Sequence, residues 1–285
     1  MQDAQRVRVG VVAGQSKTWP ELVERWRELE ALGFDTAWLT DHFMTGGEPP
    51  LDEQPFFEAW TLLGGLAMAT ERIRFGVMVT GNTYRNPALL AKEAVTIDHI
   101  SNGRLELGVG AGWWEREHAA YGYDFPGKRE LVDRFQEALE LLDSLQTQQR
   151  TDYTGRYYRM ADAPFEPKPV QQPHIPLLIG ASGPRMLALT ATHADIWNTR
   201  GPVELVAERS RLLDEKCRAI GRDPLTLKRS VWPFEHPFSS VDNVRQVMAS
   251  YQAEGFTDFI FSWPPLEFED VMRQFAHDAL DEARG

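Results

Sequence analysis

Cysteine is almost missing from this 285-residue chain: Cys217 stands alone. A disulfide framework and a cysteine-rich zinc site are therefore excluded, and a lone thiol suits a reducing, cytoplasmic setting. Long apolar runs are missing too. No stretch approaches the roughly 18 apolar residues of a membrane span, and the opening MQDAQRVRVGVVAG lacks the apolar region of a signal peptide. Basic residues are scarce: 30 Lys and Arg against 42 Asp and Glu leave a net charge of −12. That field repels phosphodiester backbones and anionic lipid, so neither nucleic acid nor a membrane surface is an expected partner. The seven histidines are scattered, with no HxH or HxxxH spacing, so a metal site would need His42, His118 and His236 to converge from three loops and is poorly supported. What remains is 42% hydrophobic and 11% aromatic, ample for a chain that should bury about three quarters of its unfolded surface.

Short apolar runs alternate with longer amphipathic segments. Residues 7–13, 36–41, 74–80, 104–111, 176–181, 194–199, 226–234 and 256–263 read as strands, because β-branched and aromatic residues fill lengths too short for isolated helices. Helices are predicted over 20–32, 56–70, 86–100, 127–146, 184–193, 202–220, 241–254 and 267–281. In the first of them Leu22, Trp26, Leu29 and Leu32 make one helical stripe, and Asn86 followed by Pro87 is a strong helix start. Between 147 and 175 the pattern breaks into a Tyr-, Gln- and Pro-rich excursion, with a small hairpin expected at 153–160 and an irregular linker at 167–173. Eight strand–helix units in a single domain, 1–285, favour an α/β fold closed as a (β/α)8 TIM barrel with an insertion after the fourth unit. An open dinucleotide-binding sheet would carry GxGxxG after the first strand, where AGQSKT (13–18) stands instead.

Reactive groups of such a barrel lie on the loops after the strands. Those loops hold Asp41-His42-Phe43, Gly81-Asn82-Thr83-Tyr84-Arg85, GAGWWEREHAAYG (110–122), GASGPR (180–185), NTRG (198–201), Phe234-Glu235-His236 and Trp263. A Schiff-base aldolase is disfavoured because Lys228 falls at a strand's start, away from its active end. In GASGPR, small residues before a helix start make an anion site from free N–H groups; an ordinary turn capped by Ser182 is the alternative. Trp113, Trp114, Trp197, Trp232 and Trp263 fall near the active ends, suiting a flat ligand, whereas Trp26 and Trp38 are expected to pack between barrel and helices. A hydrolase pairing Glu235 with Glu115 or Glu117 is the rival chemistry, with a helix-surface placement of Glu115 and Glu117 as its alternative.

TDHF (40–43), TGNTYRNPALLAKEAVTIDHISNGRLELGVGAGWWEREHAAYG (80–122) and PLLIGASGPRMLALTATHADIWNT (176–199) resemble the luciferase-like flavin and deazaflavin oxidoreductases, closest to the branch using 8-hydroxy-5-deazaflavin, coenzyme F-420. The resemblance implies hydride transfer between that coenzyme and a small organic substrate, or an FMN-dependent monooxygenase; a protein that holds flavin without turnover is the remaining alternative. It also implies a homodimer. Carried over by motif, Gly180, Ala181, Ser182 and Gly183 bind the cofactor phosphate, Thr80, Gly81 and Asn82 lie under the ring, and Gly110, Ala111 and Gly112 pass close to it. His42 is the cofactor-contacting catalytic residue, with a ring bonded to Asp41 that only shapes the loop as the alternative. Trp113, Trp197 and Trp232 line the substrate pocket, and Trp113 replaces a glutamate found in sugar-phosphate-oxidising relatives, favouring a more apolar or planar substrate. Arg85, Lys92, Arg185 and Arg200 are candidates to offset the coenzyme's acidic tail, and a non-proline cis peptide is expected at Val79–Thr80.

Overall fold

The computed structural model describes residues 6–46, 49, 51–233 and 236–283. Eight parallel strands, numbered in chain order, alternate with helices: β1 Arg8–Val12, β2 Thr36–Leu39, β3 Arg74–Val77, β4 Leu105–Gly110, β5 Leu177–Gly180, β6 Ile196–Arg200, β7 Lys228–Trp232 and β8 Asp258–Ser262. Each pairs with its sequence neighbours, and β1 pairs with β8 through Arg8↔Asp258 to Val12↔Ser262, which closes the ring. Thr80–Gly81 prolongs β3 alongside the end of β4. The expected eight-unit barrel is therefore observed, with element ends within a few residues of the sequence reading; the last helix is split into Glu269–Asp278 and Leu280–Ala283. Asn86 does cap its helix, Pro87–Ser101, accepting from the Ala88 N–H at 2.8 Å.

Side chains alternate along each strand between the barrel interior and the helical shell. Val12, Trp38, Met78, Leu178, Ile196 and Ile260 fill the interior, joined by Val79 and Trp232 near the top. Trp38 thus lies inside the barrel, not between barrel and helices as expected; Gly76 makes room, since a Cβ there would come within 2.7 Å of the indole. Trp26 packs outside against Phe75, as its helical stripe requires. The cis peptide is Met78–Val79, one bond before the expected position.

The floor of the barrel is charged. Arg8 donates to Glu106 at 2.5 and 3.1 Å and to Asp258 at 2.9 Å, and the Arg74 Nε donates to Glu106 at 2.8 Å. Lys228 opens β7 at this same end.

The excursion forms a two-stranded hairpin, Arg150–Thr154 with Arg159–Pro164. Its tip rests on the helix Lys128–Thr147, where the Glu137 carboxylate accepts the N–H groups of Arg156, Tyr157 and Tyr158 at 2.7, 2.9 and 3.1 Å. The linker that follows is pinned by buried Asp98, which accepts from the Val170 and Gln171 N–H groups. Cys217 is buried and free. Among the described residues no helix is long and apolar enough to cross a membrane.

Candidate active site

The carboxyl ends of the strands gather three features. The first is a glycine-cleared platform. A Cβ at Gly110 would approach Val79 to 2.7 Å, and one at Gly180 to 3.1 Å, so both positions keep the backbone low above the Val79 side chain. Gly112, at φ +92°, also faces Thr83 at 2.8 Å from an added Cβ, a position that rejects side chains on two counts. Asn82 ties this platform to its surroundings: its N–H donates to the Gly110 carbonyl at 2.9 Å, and its amide donates to the Tyr158 hydroxyl of the hairpin at 3.3 Å. The insertion therefore reaches the mouth through Tyr158. Thr80 turns outward, its hydroxyl accepting from Trp60 Nε1 at 3.2 Å. The Gly81 N–H donates to Asp41 at 2.9 Å, while Ala111 packs on the core.

The second feature surrounds His42. Its Nδ1 lies 2.9 Å from Glu117 Oε2, and the same carboxylate accepts the Phe43 N–H at 2.7 Å and the Tyr84 hydroxyl. Glu117 is fully buried. Burial, the largest influence, pushes its pKa up, but the hydrogen bonds from His42, Tyr84 and Phe43 outweigh it and hold the carboxyl below its usual range. Tyr84 is driven the other way, raised by burial and by donation to Glu117. Beneath them the His118 ring stacks on Tyr84 at 4.6 Å, its Nδ1 2.8 Å from the Trp114 carbonyl and its Nε2 2.6 Å from the Thr83 hydroxyl. Trp113 and Trp114 stack on each other at 5.7 Å and meet His42 edge-on at 5.7 and 5.2 Å. His42 retains 22% side-chain exposure.

Two sequence expectations change here. His42 is not bonded to Asp41, which instead takes a bidentate pair from Arg85 at 2.6 and 3.2 Å. Glu117 is not a surface residue: the loop after β4 does contain a short helix, Glu115–Tyr121, as the helix-surface reading requires, but it turns Glu117 inward while Glu115 faces solvent. Exposed Ala119 and Ala120 give no amphipathic stripe to show that the face with Glu117 and His118 is the buried one. Glu235 lies outside the described residues, and with Glu117 committed to three donors the paired-carboxylate reading loses one of its candidates.

The third feature is a basic cleft after β5. The helix Pro184–His193 begins at Gly183 with no side-chain cap; Ser182 is exposed and does not supply one. A shallow, solvent-open depression of about 710 Å³ lies there, lined by Lys128, Arg129, Val132, Gly183, Pro184, Arg185 and Met186. Arg185 is steadied by Asp133 at 2.5 Å. Of the other proposed cations, Arg85 is locked below the surface by Asp41 and Glu58, and Lys92 donates to the Glu166 carbonyl at 2.5 Å while lying over Phe165. Neither serves a ligand at the mouth. Arg200 does reach the mouth, over the Trp232 ring at 4.0 Å, and Trp232 Nε1 donates to Ser262 at 3.0 Å. Trp197 does not: it is fully buried on the outer face, against Phe256, with Nε1 donating to the Ala181 carbonyl at 3.0 Å. Strand parity explains this, since Ile196 and not Trp197 points into the barrel.

The family model described as luciferase-like monooxygenase matches residues 3–274. An uncharacterised protein of Mycobacterium tuberculosis is 31% identical over 86% of this chain and 88% of its own length. A protein of Microbacterium testaceum named F420-dependent glucose-6-phosphate dehydrogenase is 29% identical over 98% of this chain and 79% of its own. The solved structure of an F420-dependent secondary alcohol dehydrogenase with an F420-acetone adduct superposes with a TM-score of 0.83 at 17% identity, covering 95% of this chain and 98% of that one. With the barrel, the platform and the family model in agreement over nearly the whole length, this chain belongs to the luciferase-like monooxygenase family, whose members are flavin- or deazaflavin-dependent oxidoreductases.

Proposed function

We propose that the protein is an oxidoreductase using the deazaflavin coenzyme F-420 with a small, apolar or planar organic substrate. The observation that carries this reading is the basic cleft. In a chain of net charge −12, Lys128, Arg129 and Arg185 line one open depression beside an uncapped helix start. That suits an oligoanionic coenzyme, whose phosphate meets the amides from Gly180 to Arg185 and whose acidic tail runs onto the cations. Gly110 and Gly180 let the backbone lie against the Val79 side chain, where an added Cβ would come within 2.7 and 3.1 Å, and this fits a flat ring above Val79, with Gly112 and Asn82 flanking it. The names of the Microbacterium testaceum relative and of the alcohol dehydrogenase neighbour support the same coenzyme.

When bound, the coenzyme supplies hydride exchange with the substrate. The chain's own residues do the rest. His42 exchanges the proton that balances the hydride, Trp113 and Trp232 exclude water and orient the substrate, and Glu117 keeps the histidine in place. Trp113 is 70% exposed and offers an apolar wall where a sugar phosphate would need polar partners, which is why an apolar or planar substrate is preferred. The second reading, an FMN-dependent monooxygenase, draws on the family's description, but a single phosphate makes less use of three cations, two of which share one carboxylate, Asp133.

Titrating the purified protein with each cofactor, followed by cofactor fluorescence, tests the choice. Micromolar binding of the deazaflavin with negligible binding of FMN is the expected outcome, and the reverse order overturns it.

A further inference from the structure

His42 presents two ring nitrogens to different surroundings. Nδ1 is engaged by Glu117 at 2.9 Å, while Nε2 has no hydrogen-bond partner among the described residues and the ring keeps its 22% exposure at the mouth. Which nitrogen carries the proton is set by what the other one meets. Glu117 leaves no ambiguity about its side of the bond. An ionised carboxylate has no proton to give, and Glu117 is kept in that form by three donors on two oxygens: Phe43 N–H on Oε1, His42 Nδ1 and the Tyr84 hydroxyl on Oε2.

We propose that Glu117 is a positioning residue that fixes His42 as its Nδ1–H tautomer and so reserves the Nε2 lone pair for the proton of the reaction. The inference rests on the reading of His42 as the proton-handling group at the coenzyme site. Tyr84 holds the far side of the same carboxylate and keeps it aimed at the ring, and the edge-on faces of Trp113 and Trp114 limit the ring's rotation. The buried carboxylate also meets the charge that develops when Nε2 takes a proton. The arrangement has the logic of a carboxylate behind any catalytic imidazole: it orients and selects a tautomer without itself entering the reaction.

A single isosteric exchange reverses the tautomer on this account. In Glu117→Gln the amide oxygen is retained by the Phe43 N–H, placing the NH2 where Oε2 stood. That group donates to His42 Nδ1, and the ring proton must then sit on Nε2, where it blocks the lone pair.

The test is long-range 15N NMR of histidine-labelled, coenzyme-free protein at a pH where the ring is neutral, with His42 assigned by its loss in His42→Gln. The wild type is expected to show the Nδ1–H tautomer and Glu117→Gln the Nε2–H tautomer. Tyr84→Phe, which leaves the His42–Glu117 bond intact, is expected to keep Nδ1–H and remains informative if the glutamine variant does not fold. An Nε2–H ring in the wild type or in Tyr84→Phe, or an unchanged tautomer in folded Glu117→Gln, overturns the proposal. Deazaflavin titration of the same proteins separates the two layers. Affinity equal within about twofold in wild type and Glu117→Gln assigns the carboxylate to the ring and not to coenzyme binding; a wild type that binds no deazaflavin defeats the coenzyme reading while the spectra decide the tautomer independently.

Discussion

Glu106 and Glu117 are both buried carboxylates at opposite ends of one barrel, and they differ in the company they keep. At the floor, Glu106 faces two guanidinium groups, Arg8 and Arg74, and is walled in by strands. Burial pushes its pKa up, yet the two arginines prevail and bring it down to about 2. At the mouth, Glu117 has no arginine. Its partners are an imidazole, a phenol and a backbone amide, none of them a permanent charge; all three sit on loops, and Glu117 itself on a short helix. Two permanent charges hold Glu106, whereas hydrogen bonds alone hold Glu117. The floor is thus organised for stability and the mouth for chemistry, in line with the division of labour between the two ends of such barrels. Asp258 refines the picture. It is as buried as Glu106 and shares Arg8 with it but has no second arginine, so burial, helped by the neighbouring Glu106 charge, leaves its pKa raised.

The sharpest way to break the contrast is to remove the shared floor cation. Arg8→Met leaves Asp258 without its arginine and Glu106 with Arg74 alone, and is expected to cost roughly 3–5 kcal/mol of stability, read from urea unfolding. Coenzyme affinity of the folded fraction should not change. At the other end His42→Ala should lower turnover by about 10²–10⁴-fold while the unfolding midpoint stays near that of the wild type, measured by steady-state assay across a substrate panel. Equal losses of stability in the two variants would erase the distinction.

Smaller effects sharpen it. Glu106, with its pKa depressed from 4.5 to about 2, contributes stability that is complete above pH 4.5 and is lost as the pH falls toward 2. Urea midpoints recorded from pH 6 to pH 2 should therefore decline, and Glu106→Gln should flatten the decline; the raised Asp258 offsets part of it. The smallest change is expected in the basic cleft. Lys128→Gln should weaken deazaflavin binding about tenfold, the worth of one charge-assisted hydrogen bond, leave FMN binding untouched and lessen the salt dependence of the titration.

The barrel was legible because parallel strands covered by crossover helices read as short, nearly continuous apolar runs, and eight of them recur. GASGPR left two readings open, an anion site or a turn capped by Ser182, and the structure removes only the Ser182 cap, since the helix starting at Gly183 has no side-chain cap. Inside and outside were harder. Trp197 and Trp38 were both assigned to the wrong side, although strand parity decides each: Ile196 and Asn198 share the inner face of β6, where the Asn198 amide reaches Ser230 at 2.9 Å, and so Trp197 must face out. Glu117 was hidden for a different reason. Its burial depends on Tyr84 and His42, 33 and 75 residues away in the chain, and no local pattern encodes such a meeting. Arg85 carried the same difficulty, since only the folded chain sets it against Asp41.

The central claim is most directly tested by a crystal structure of the protein with the deazaflavin coenzyme. The account predicts the phosphate on the main-chain amides between Gly180 and Arg185, the acidic tail along Lys128 and Arg129, and the ring above Val79 with His42 Nε2 toward it. A ring bound elsewhere, with those amides facing solvent, would contradict it.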